Sequence, residues 1–268
     1  RQGNRYCDPD LADRHQPADL IAMDRLIHTA LSGMRASMDS QRVIASNMAN
    51  ANTLGFRAEL LDQRAVTIEG QPLEARAMQV ARVRGADMVA GEIIETGRDL
   101  DIAMATDALM AVQAEDGTEA YTRRGDMSIS ATGLLVNGEG RPVLGDNGPI
   151  TIPPVGIPGI APDGTVTIAD PATPDQPPAE VGRIKLAAWR GSPISKGLDG
   201  LFRVEGGGIL PTDEAATVQV GALEQSNVKT TEVLVEMIDA QRLFAMRSKV
   251  IATAREIDES GAQLMRLG

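Results

Sequence analysis

Residues 23–56, MDRLIHTALSGMRASMDSQRVIASNMANANTLGF, read as one long amphipathic helix that ends in a polar segment. Apolar or small residues recur in steps of three and four, a spacing that averages 3.5 residues and is typical of coiled-coil helices. The stripe consists of Ile27, Leu31, Met34, Met38, Ala45 and Met48, with the polar Gln41 between them. A helix of about 30 residues is about 45 Å long. A stripe of that length requires a partner helix.

The end of this helix is predicted from the residues that follow the stripe. Asn and Thr side chains bond to nearby backbone groups and favour caps and turns, and Gly suits the left-handed position beyond a helix end. The residues predicted to set the helix exit are Asn47, Asn50, Thr53, Gly55 and Phe56.

The partner helix is predicted at the other end of the chain, over residues 231–267. The same three-four spacing returns in Leu234, Met237, Gln241, Phe244, Ser248 and Ile251. Two helices of this kind at opposite ends of the chain predict a terminal coiled coil that carries the residues between them.

Composition excludes several classes of protein. The net charge is -11 and the pI is about 4.7, which argues against general binding to nucleic-acid phosphates. No run of about 18 apolar residues predicts a membrane span, and no apolar segment with a cleavage site predicts a secretory signal. The single cysteine, Cys7, excludes an intrachain disulfide and a cysteine zinc site.

The middle of the chain predicts antiparallel β-structure. Short apolar runs alternate with turn pairs such as Asp116-Gly117, Asn137-Gly138, Asp163-Gly164 and Asp199-Gly200, which are strong hairpin signals. The predicted fold is therefore α+β, with N- and C-terminal helices forming a coiled coil and a central antiparallel β-domain. The predicted divisions are an upstream or added extension (1–22), the N-terminal helix (23–54), a connector (55–98), the β-domain (99–228) and the C-terminal helix (229–268).

Candidate catalytic and metal-binding residues are few. His28 and His15 are the only histidines, and His28 beside the helical stripe is better explained as a packing or solvated residue than as a ligand. Residues 145–148 (GDNG) lack the spacing of a calcium loop, and residues 206–208 (GGG) lack the Lys-Ser/Thr of a phosphate loop. The sequence predicts no enzyme, no cofactor and no metal site.

The two helical stripes leave two interpretations open. The helices could pack only on each other inside a soluble monomer. Alternatively, the pair could also pack against neighbouring subunits, because Ala30, Ile44, Ile238 and Ala245 make the apolar faces wider than one two-stranded contact needs. The predicted interface and coiled-coil residues are Ile27, Leu31, Met34, Met38, Met48, Leu234, Met237, Phe244 and Ile251.

Three motifs in this order resemble those of bacterial flagellar rod and hook proteins. The first is residues 47–56 (NMANANTLGF), the second is residues 121–126 (YTRRGD), and the third is residues 224–228 (EQSNV) followed by 236–244 (EMIDAQRLF). The opening at residues 24–27 (DRLI) and the compact length resemble the proximal-rod members of the family more than the distal-rod members.

The resemblance implies a structural subunit of the flagellar basal-body rod, which assembles through its terminal helices with copies of itself and with other rod proteins. It also implies passage through the flagellar type III export apparatus without signal cleavage, and a periplasmic location in the basal body. The alternatives are another axial protein of the same family, or a soluble β-domain enzyme or carbohydrate-binding module held by a helical hairpin.

Overall fold

The computed structural model describes residues 18–68, 76–171 and 176–266, and it describes side chains from residue 29 onward except those of residues 63–84, 258, 261, 262 and 264–266. The fold is α+β, as predicted. The contacts divide the chain into two compact units. Among the described residues, unit 1 comprises 18–42, 61–68, 76–82 and 235–266, and unit 2 comprises 43–60, 83–171 and 176–234.

Both terminal helices are present. Helix α1 covers Ala18–Ala49 and helix α2 covers Thr230–Arg266. The first turn of α2 contains Glu232, whose negative charge is favourable at a helix N-terminus. Ahead of α2, the backbone N–H of Val228 donates to the Ser226 hydroxyl (3.2 Å), so a side chain satisfies one backbone donor in the segment that leads into the helix.

The connector predicted over residues 55–98 contains regular strands. Strands β1 (Glu59–Ile68) and β2 (Arg76–Ala86) pair with each other in a two-stranded sheet. The loose alternation of residues 74–83 predicts a strand near β2, whereas no pattern predicts a strand at β1. Residues 69–75, which include part of the predicted strand at 74–83, lie outside the described residues.

Unit 2 is built from short antiparallel strands. Its largest sheet has the order β14-β5-β6-β16-β15, a second has the order β11-β12-β13, and the pairs β17-β4, β18-β3, β7-β8 and β10-β9 complete it. The strands are β3 (Ile93–Glu95), β4 (Ile102–Met104), β5 (Leu109–Gln113), β6 (Glu119–Thr122), β7 (Met127–Ile129), β8 (Leu135–Asn137), β9 (Leu144–Gly145), β10 (Gly148–Pro149), β11 (Ile157–Ile160), β12 (Thr165–Ala169), β13 (Ala179–Arg183), β14 (Leu186–Ala187), β15 (Ile194–Lys196), β16 (Phe202–Val204), β17 (Val218–Val220) and β18 (Ala222–Glu224).

The predicted turn pairs lie where strands connect. Asp116-Gly117 joins β5 to β6, Asp163-Gly164 joins β11 to β12, and Asp199-Gly200 joins β15 to β16. In the first two turns the aspartate side chain accepts the backbone N–H two residues later, which is the local bond that favours Asp in turns. The apolar run at residues 150–152 also predicts a strand; it forms the isolated bridge of Thr151 to Leu134 and bonds to the backbone of residues 133, 135 and 143.

The core of unit 2 is aliphatic, as the low aromatic content predicts. The larger cluster packs Ile, Leu, Val, Met and Ala side chains from both sheets, and Met110, Val112, Leu135 and Val166 within it are fully buried. A smaller cluster surrounds Tyr121 and Phe202 on the other face of β5 and β6. These two clusters make unit 2 a rigid support for the residues at the end of α1.

Candidate functional site

The predicted helix exit begins with two asparagines at the end of α1. The side-chain amide of Asn50 donates to the carbonyl oxygen of Ser46 (2.9 Å), and the Thr53 hydroxyl donates to Asn50 Oδ1 (3.1 Å). The Ser46 carbonyl oxygen also accepts the backbone N–H of Asn50 (3.1 Å), so the backbone and the side chain of Asn50 both bond to the last turn of the helix. Helix α1 ends at Ala49, five residues before the predicted bound at residue 54.

Asn47 holds the chain that leaves the helix. Its Nδ2 donates to the carbonyl oxygen of Glu59 (3.0 Å), and its Oδ1 accepts the backbone N–H of Glu59 (2.8 Å). The amide therefore pairs with a backbone residue as a neighbouring strand would. Asn47 is buried, so both bonds are sheltered from water and fix the start of β1.

At Gly55 the backbone of the helix exit passes very close to the backbone of Arg123. Its φ of +65° is in the left-handed region that favours glycine. A Cβ at this position would lie 2.5 Å from the backbone carbonyl carbon of Arg123. The Gly55 N–H donates to the carbonyl oxygen of Glu224 (2.8 Å), which brings the N-terminal motif against the C-terminal one.

Asn227, from the C-terminal motif, joins three segments. Its Oδ1 accepts the backbone N–H of Ala58 (2.7 Å), and its Nδ2 donates to the carbonyl oxygens of Asp87 (2.8 Å) and Val89 (3.0 Å). The backbone N–H of Asn227 also donates to the carbonyl oxygen of Phe56 (3.3 Å). Two motifs about 170 residues apart in the sequence therefore form one site in unit 2.

A buried charge cluster lies beneath this site, and the sequence analysis missed it. The Glu224 carboxylate forms ion pairs with Arg57 and with Arg123, the latter at 2.6 Å, and accepts the N–H of Gly91 (2.8 Å). The side chains of Arg57, Arg123 and Glu224 are 0%, 4% and 1% exposed. The only sequence signal was that all three residues lie in or beside the family motifs.

The two arginines of the cluster differ in how well they are satisfied. Arg123 also donates to the carbonyl oxygens of Met104, Thr106 and Ala108 at 2.9–3.0 Å. Nε and Nη1 of Arg57 have no hydrogen-bond acceptor among the described residues. Burial lowers the pKa of Arg57, and Glu224 partly offsets this effect. A buried cation of this kind depends on its counter-ion.

Phe56 is fixed by a lysine from the central sheet. Nζ of Lys196 lies 3.2 Å from the centroid of the Phe56 ring and donates to the carbonyl oxygen of Arg57 (2.8 Å). Burial lowers the pKa of Lys196 to about 8, and the charge of Glu59 acts in the opposite direction. The negative face of an aromatic ring attracts a positive charge, so the ammonium group of Lys196 helps to hold the Phe56 ring in place.

A cavity of about 320 Å³ opens beside this lysine. Its lining includes Ser46, Thr53, Phe56, Lys196 and the exposed Leu198. Within this lining the Ser46 hydroxyl donates to Glu59 Oε1 (3.0 Å), and no histidine is among the lining residues. The described residues also contain no group of three potential metal ligands, and none of the described helices is long and apolar enough to cross a membrane.

The predicted stripe of α1 does not coincide with its buried face. Leu31 and Met38 are 39% and 56% exposed, whereas Met34 and Met48 are half-buried. The side chain of Ile27 lies outside the described residues. The buried positions in the unit 1 part of α1 are the small residues Ser32, Gly33, Ala36 and Ser37.

Helix α2 shows the predicted period in a shifted register. In unit 1 its buried or half-buried residues recur in steps of three and four, and they are Met237, Ala240, Phe244, Arg247, Ile251 and Ala254. Met237, Phe244 and Ile251 were predicted, whereas Gln241 and Ser248 of the predicted stripe are exposed. Leu234, which belongs to unit 2, is 41% exposed.

A second apolar stripe of α2 is exposed. Leu243, Met246, Val250 and Ile257 also recur at spacings of three, four and seven residues. Their exposed fractions are 39%, 60%, 51% and 57%. A helix with one apolar stripe against its own unit and another in solvent has the surface expected of an assembling subunit.

Comparisons with known proteins agree with this geometry. Three family models match the chain: "Flagella basal body rod protein" at residues 27–57, "Flagellar hook protein FlgE/F/G D1 domain" at 103–168, and "Flagellar basal body rod FlgEFG protein C-terminal" at 219–264. The first and third matches cover the motifs that meet at the helix exit, and the second lies within unit 2.

Whole-chain relatives extend this agreement. The flagellar basal-body rod protein FlgF of Salmonella typhimurium is 40% identical over 251 residues, which cover 91% of this chain and 100% of the relative. FlgF of Escherichia coli is 39% identical with the same coverage. The flagellar basal-body rod protein FlgG of Bacillus subtilis is 32% identical over 267 residues, again covering 91% of this chain and all of the relative. The resemblance inferred from the three motifs is confirmed: the chain belongs to the family of bacterial flagellar basal-body rod proteins.

Proposed function

We propose that this protein is a structural subunit of the flagellar basal-body rod and that it assembles through its terminal helices. The observation that carries the proposal is the exposed stripe Leu243, Met246, Val250 and Ile257, on the same helix as a separate, more buried stripe. Family membership supports the rod rather than the alternative of an enzyme or carbohydrate-binding module.

In this proposal α1 and α2 form the coiled coil of the subunit, and the exposed stripe packs on the helices of neighbouring rod subunits. Gln41 supports the first part, since its Nε2 donates to the carbonyl oxygen of Ala240 (3.4 Å), and Arg247 contacts Gly33 and Ser37. Leu31 and Met38, exposed on α1, are available for contacts between subunits. Such contacts generate a stack rather than a closed ring when they run head to tail.

The neighbours in this proposal are copies of the same chain and other rod proteins. The names of the relatives support a location in the flagellar basal body. A periplasmic position, reached through the flagellar type III export apparatus without signal cleavage, completes the proposal.

The proposal is tested by placing a charge on the exposed stripe. In cells that lack the native copy, Val250→Asp should abolish rod assembly and motility, because a carboxylate would be buried unpaired between subunits. Lys249→Asp serves as the matched control. It introduces aspartate at the neighbouring exposed position, which does not belong to the stripe.

The purified variants separate an assembly defect from a folding defect. Both should keep the fluorescence of Trp189, which lies in unit 2, and the helical circular dichroism of the wild type. Normal rods and swimming in the Val250→Asp cells would overturn the role assigned to this stripe.

A further inference from the structure

Arg247 is an unusual residue for the position that it occupies. It lies in the α2 stripe between Phe244 and Ile251, and its side chain is half-buried. Its Nη1 donates to the backbone carbonyl oxygen of Gly33 and to the hydroxyl of Ser37, which lie one turn apart on α1. A guanidinium that is partly removed from water needs such acceptors. Among the contacts described, Gly33 and Ser37 on α1 are two specific partners of this permanent cation.

The matching position on α1 has room for this side chain because it is a glycine. A Cβ built at Gly33 would lie 3.5 Å from Nε and Cζ of Arg247, which is ordinary contact distance. A longer side chain at residue 33 would occupy the space of the guanidinium. Gly33 is the only glycine in α1, so the helix offers a single place of this shape.

A second contact fixes the direction of the pair. From Gly33 to Gln41 along α1, the partners move back along α2 from Arg247 to Ala240. The two helices therefore run antiparallel in unit 1. In such a pair an aliphatic stripe with a three-four period fits equally well after a slip of seven residues.

We propose that Arg247 is the residue that selects the register of the α1–α2 pair, and that Gly33 and Ser37 are its receiving site. A slip of one heptad would place Arg247 opposite residues 40 and 44 or residues 26 and 30 of α1, which are Ser and Ile or Leu and Ala. Neither pair of positions combines a glycine with a hydroxyl-bearing residue four residues later, as Gly33 and Ser37 do. The half-buried guanidinium would then lose these two acceptors, which is unfavourable.

This inference deepens the proposed function, because only a subunit with one helix register presents one defined outer stripe to its neighbours. A polar residue in the interior of a coiled coil commonly has this effect: it specifies register at some cost in stability. The role assigned to Arg247 is therefore specificity of pairing rather than strength of pairing.

The test measures the distance between the helices of the isolated full chain. In a Cys7→Ser background, spin labels are attached through Arg35→Cys on α1 and Arg242→Cys on α2, two exposed positions of unit 1. Double electron–electron resonance should give one distance for the otherwise native chain. In Arg247→Met it should give at least two, because a slip of one heptad translates a helix by about 10 Å along its partner.

Three further variants make the result specific. Gly33→Leu should also broaden the distance distribution, whereas Gly33→Ala should leave it unchanged, since the added methyl would be at ordinary contact distance. Lys249→Met removes an exposed cation from the same helix and should change nothing.

The proposal fails if Arg247→Met keeps the native single distance, or if the native chain itself shows no single distance. It also fails if Arg247→Met loses its helical circular dichroism, because Arg247 would then act as a general stabiliser. All of these readouts use the isolated chain, so they are independent of whether Val250→Asp abolishes assembly in cells.

Discussion

Glu224 combines two tasks in one side chain, since it neutralises two buried arginines and accepts a backbone N–H. Removing one member of a buried charge network leaves the others uncompensated. We therefore predict that Glu224→Gln lowers the free energy of unfolding by about 3–5 kcal/mol. Chemical denaturation followed by the fluorescence of Trp189 measures this change.

The control for Glu224 is a carboxylate with two arginine partners near the surface. Glu139 pairs with Arg124 (3.3 Å) and with Arg141 (3.0 Å), and its side chain is 34% exposed. Because water screens such pairs, Glu139→Gln should cost less than about 1 kcal/mol. Equal losses for the two variants would show that burial is not what makes Glu224 important.

Gly55 and Gly140 provide a matched comparison of backbone strain and steric contact. Both have a positive φ, +65° and +79°, so alanine at either position costs about 1–2 kcal/mol. Only at Gly55 would the new Cβ meet backbone atoms at 2.5 Å. Gly55→Ala should therefore destabilise unit 2 by at least about 1 kcal/mol more than Gly140→Ala in the same denaturation experiment.

Lys196 predicts a dependence of stability on pH. Burial lowers its pKa to about 8, below the ordinary lysine value of about 10.5. Between these two values the unfolded chain binds more protons than the folded chain, so the contribution of Lys196 to the free energy of unfolding increases as the pH rises from 8 to 10.5.

The measurement compares the native chain with Lys196→Met. The free energy of unfolding of the native chain should rise relative to the variant by less than about 1.4 kcal/mol per pH unit, since partial exposure weakens the effect. Below pH 8 the difference should be constant. Parallel curves through pH 10 would show that the Phe56 ring holds the amine charged throughout.

At the scale of one element, α2 separates residues that support the subunit from residues available to neighbours. Phe244 is half-buried and Met246 is 60% exposed. Phe244→Asp should reduce the ellipticity of the isolated chain at 222 nm, because a charge enters the helix pair, whereas Met246→Asp should not. Leu31→Asp on α1, at a position 39% exposed, should behave like Met246→Asp in isolation and still prevent assembly.

The period of the helices could be read from the sequence, but their orientation could not. The three-four steps on α2 are real, yet the more buried set includes Ala240 and Arg247 where the sequence favours Gln241 and Ser248 as neighbours of Leu, Met and Phe. On α1 the buried positions are small or hydroxylic residues, which a search for apolar side chains ranks low. At these positions of α1, close packing around Arg247 determines which residues are buried, rather than the hydrophobicity of their side chains. This packing depends on α2, so the sequence of α1 alone does not predict it.

The strands were predicted where turn chemistry marks their ends. Asp116-Gly117 and Asp163-Gly164 correctly bracket β5, β6 and β12. Strands β1 and β18 were missed because Glu59–Ile68 mixes charged and apolar residues and Ala222–Glu224 has only three residues. Long-range pairing, such as that of β18 with β3, stabilises these strands. The local sequence pattern does not predict such pairing.

The same limit applies to the candidate site as a whole. Asn47, Asn50, Thr53 and Gly55 could be singled out from the sequence because the helix-end chemistry predicted for them is local. Arg57, Glu224 and Asn227 act across more than 130 residues of sequence, so nothing near them predicts their partners.

At the scale of the molecule, the net charge of -11 opposes contact between copies. The Debye length falls from about 30 Å at 0.01 M salt to about 8 Å at 0.15 M. We predict that self-association, measured by sedimentation or light scattering, increases over this range, because apolar stripes can meet only when this repulsion is screened. Association that weakens with added salt would point instead to ion pairs as the main contacts.

The position of Glu224 near the end of the chain sets the order in which the polypeptide can reach its final form. Strands β4 and β3 receive their partners only from residues 218–224, and Arg57 receives its counter-ion at the same late point. A chain that emerges amino-terminus first therefore lacks the closing pieces of its β unit until about five-sixths of it is present. Until that point strands β3 and β4 have no edge to pair with, so the β unit cannot close while the polypeptide is still being synthesised.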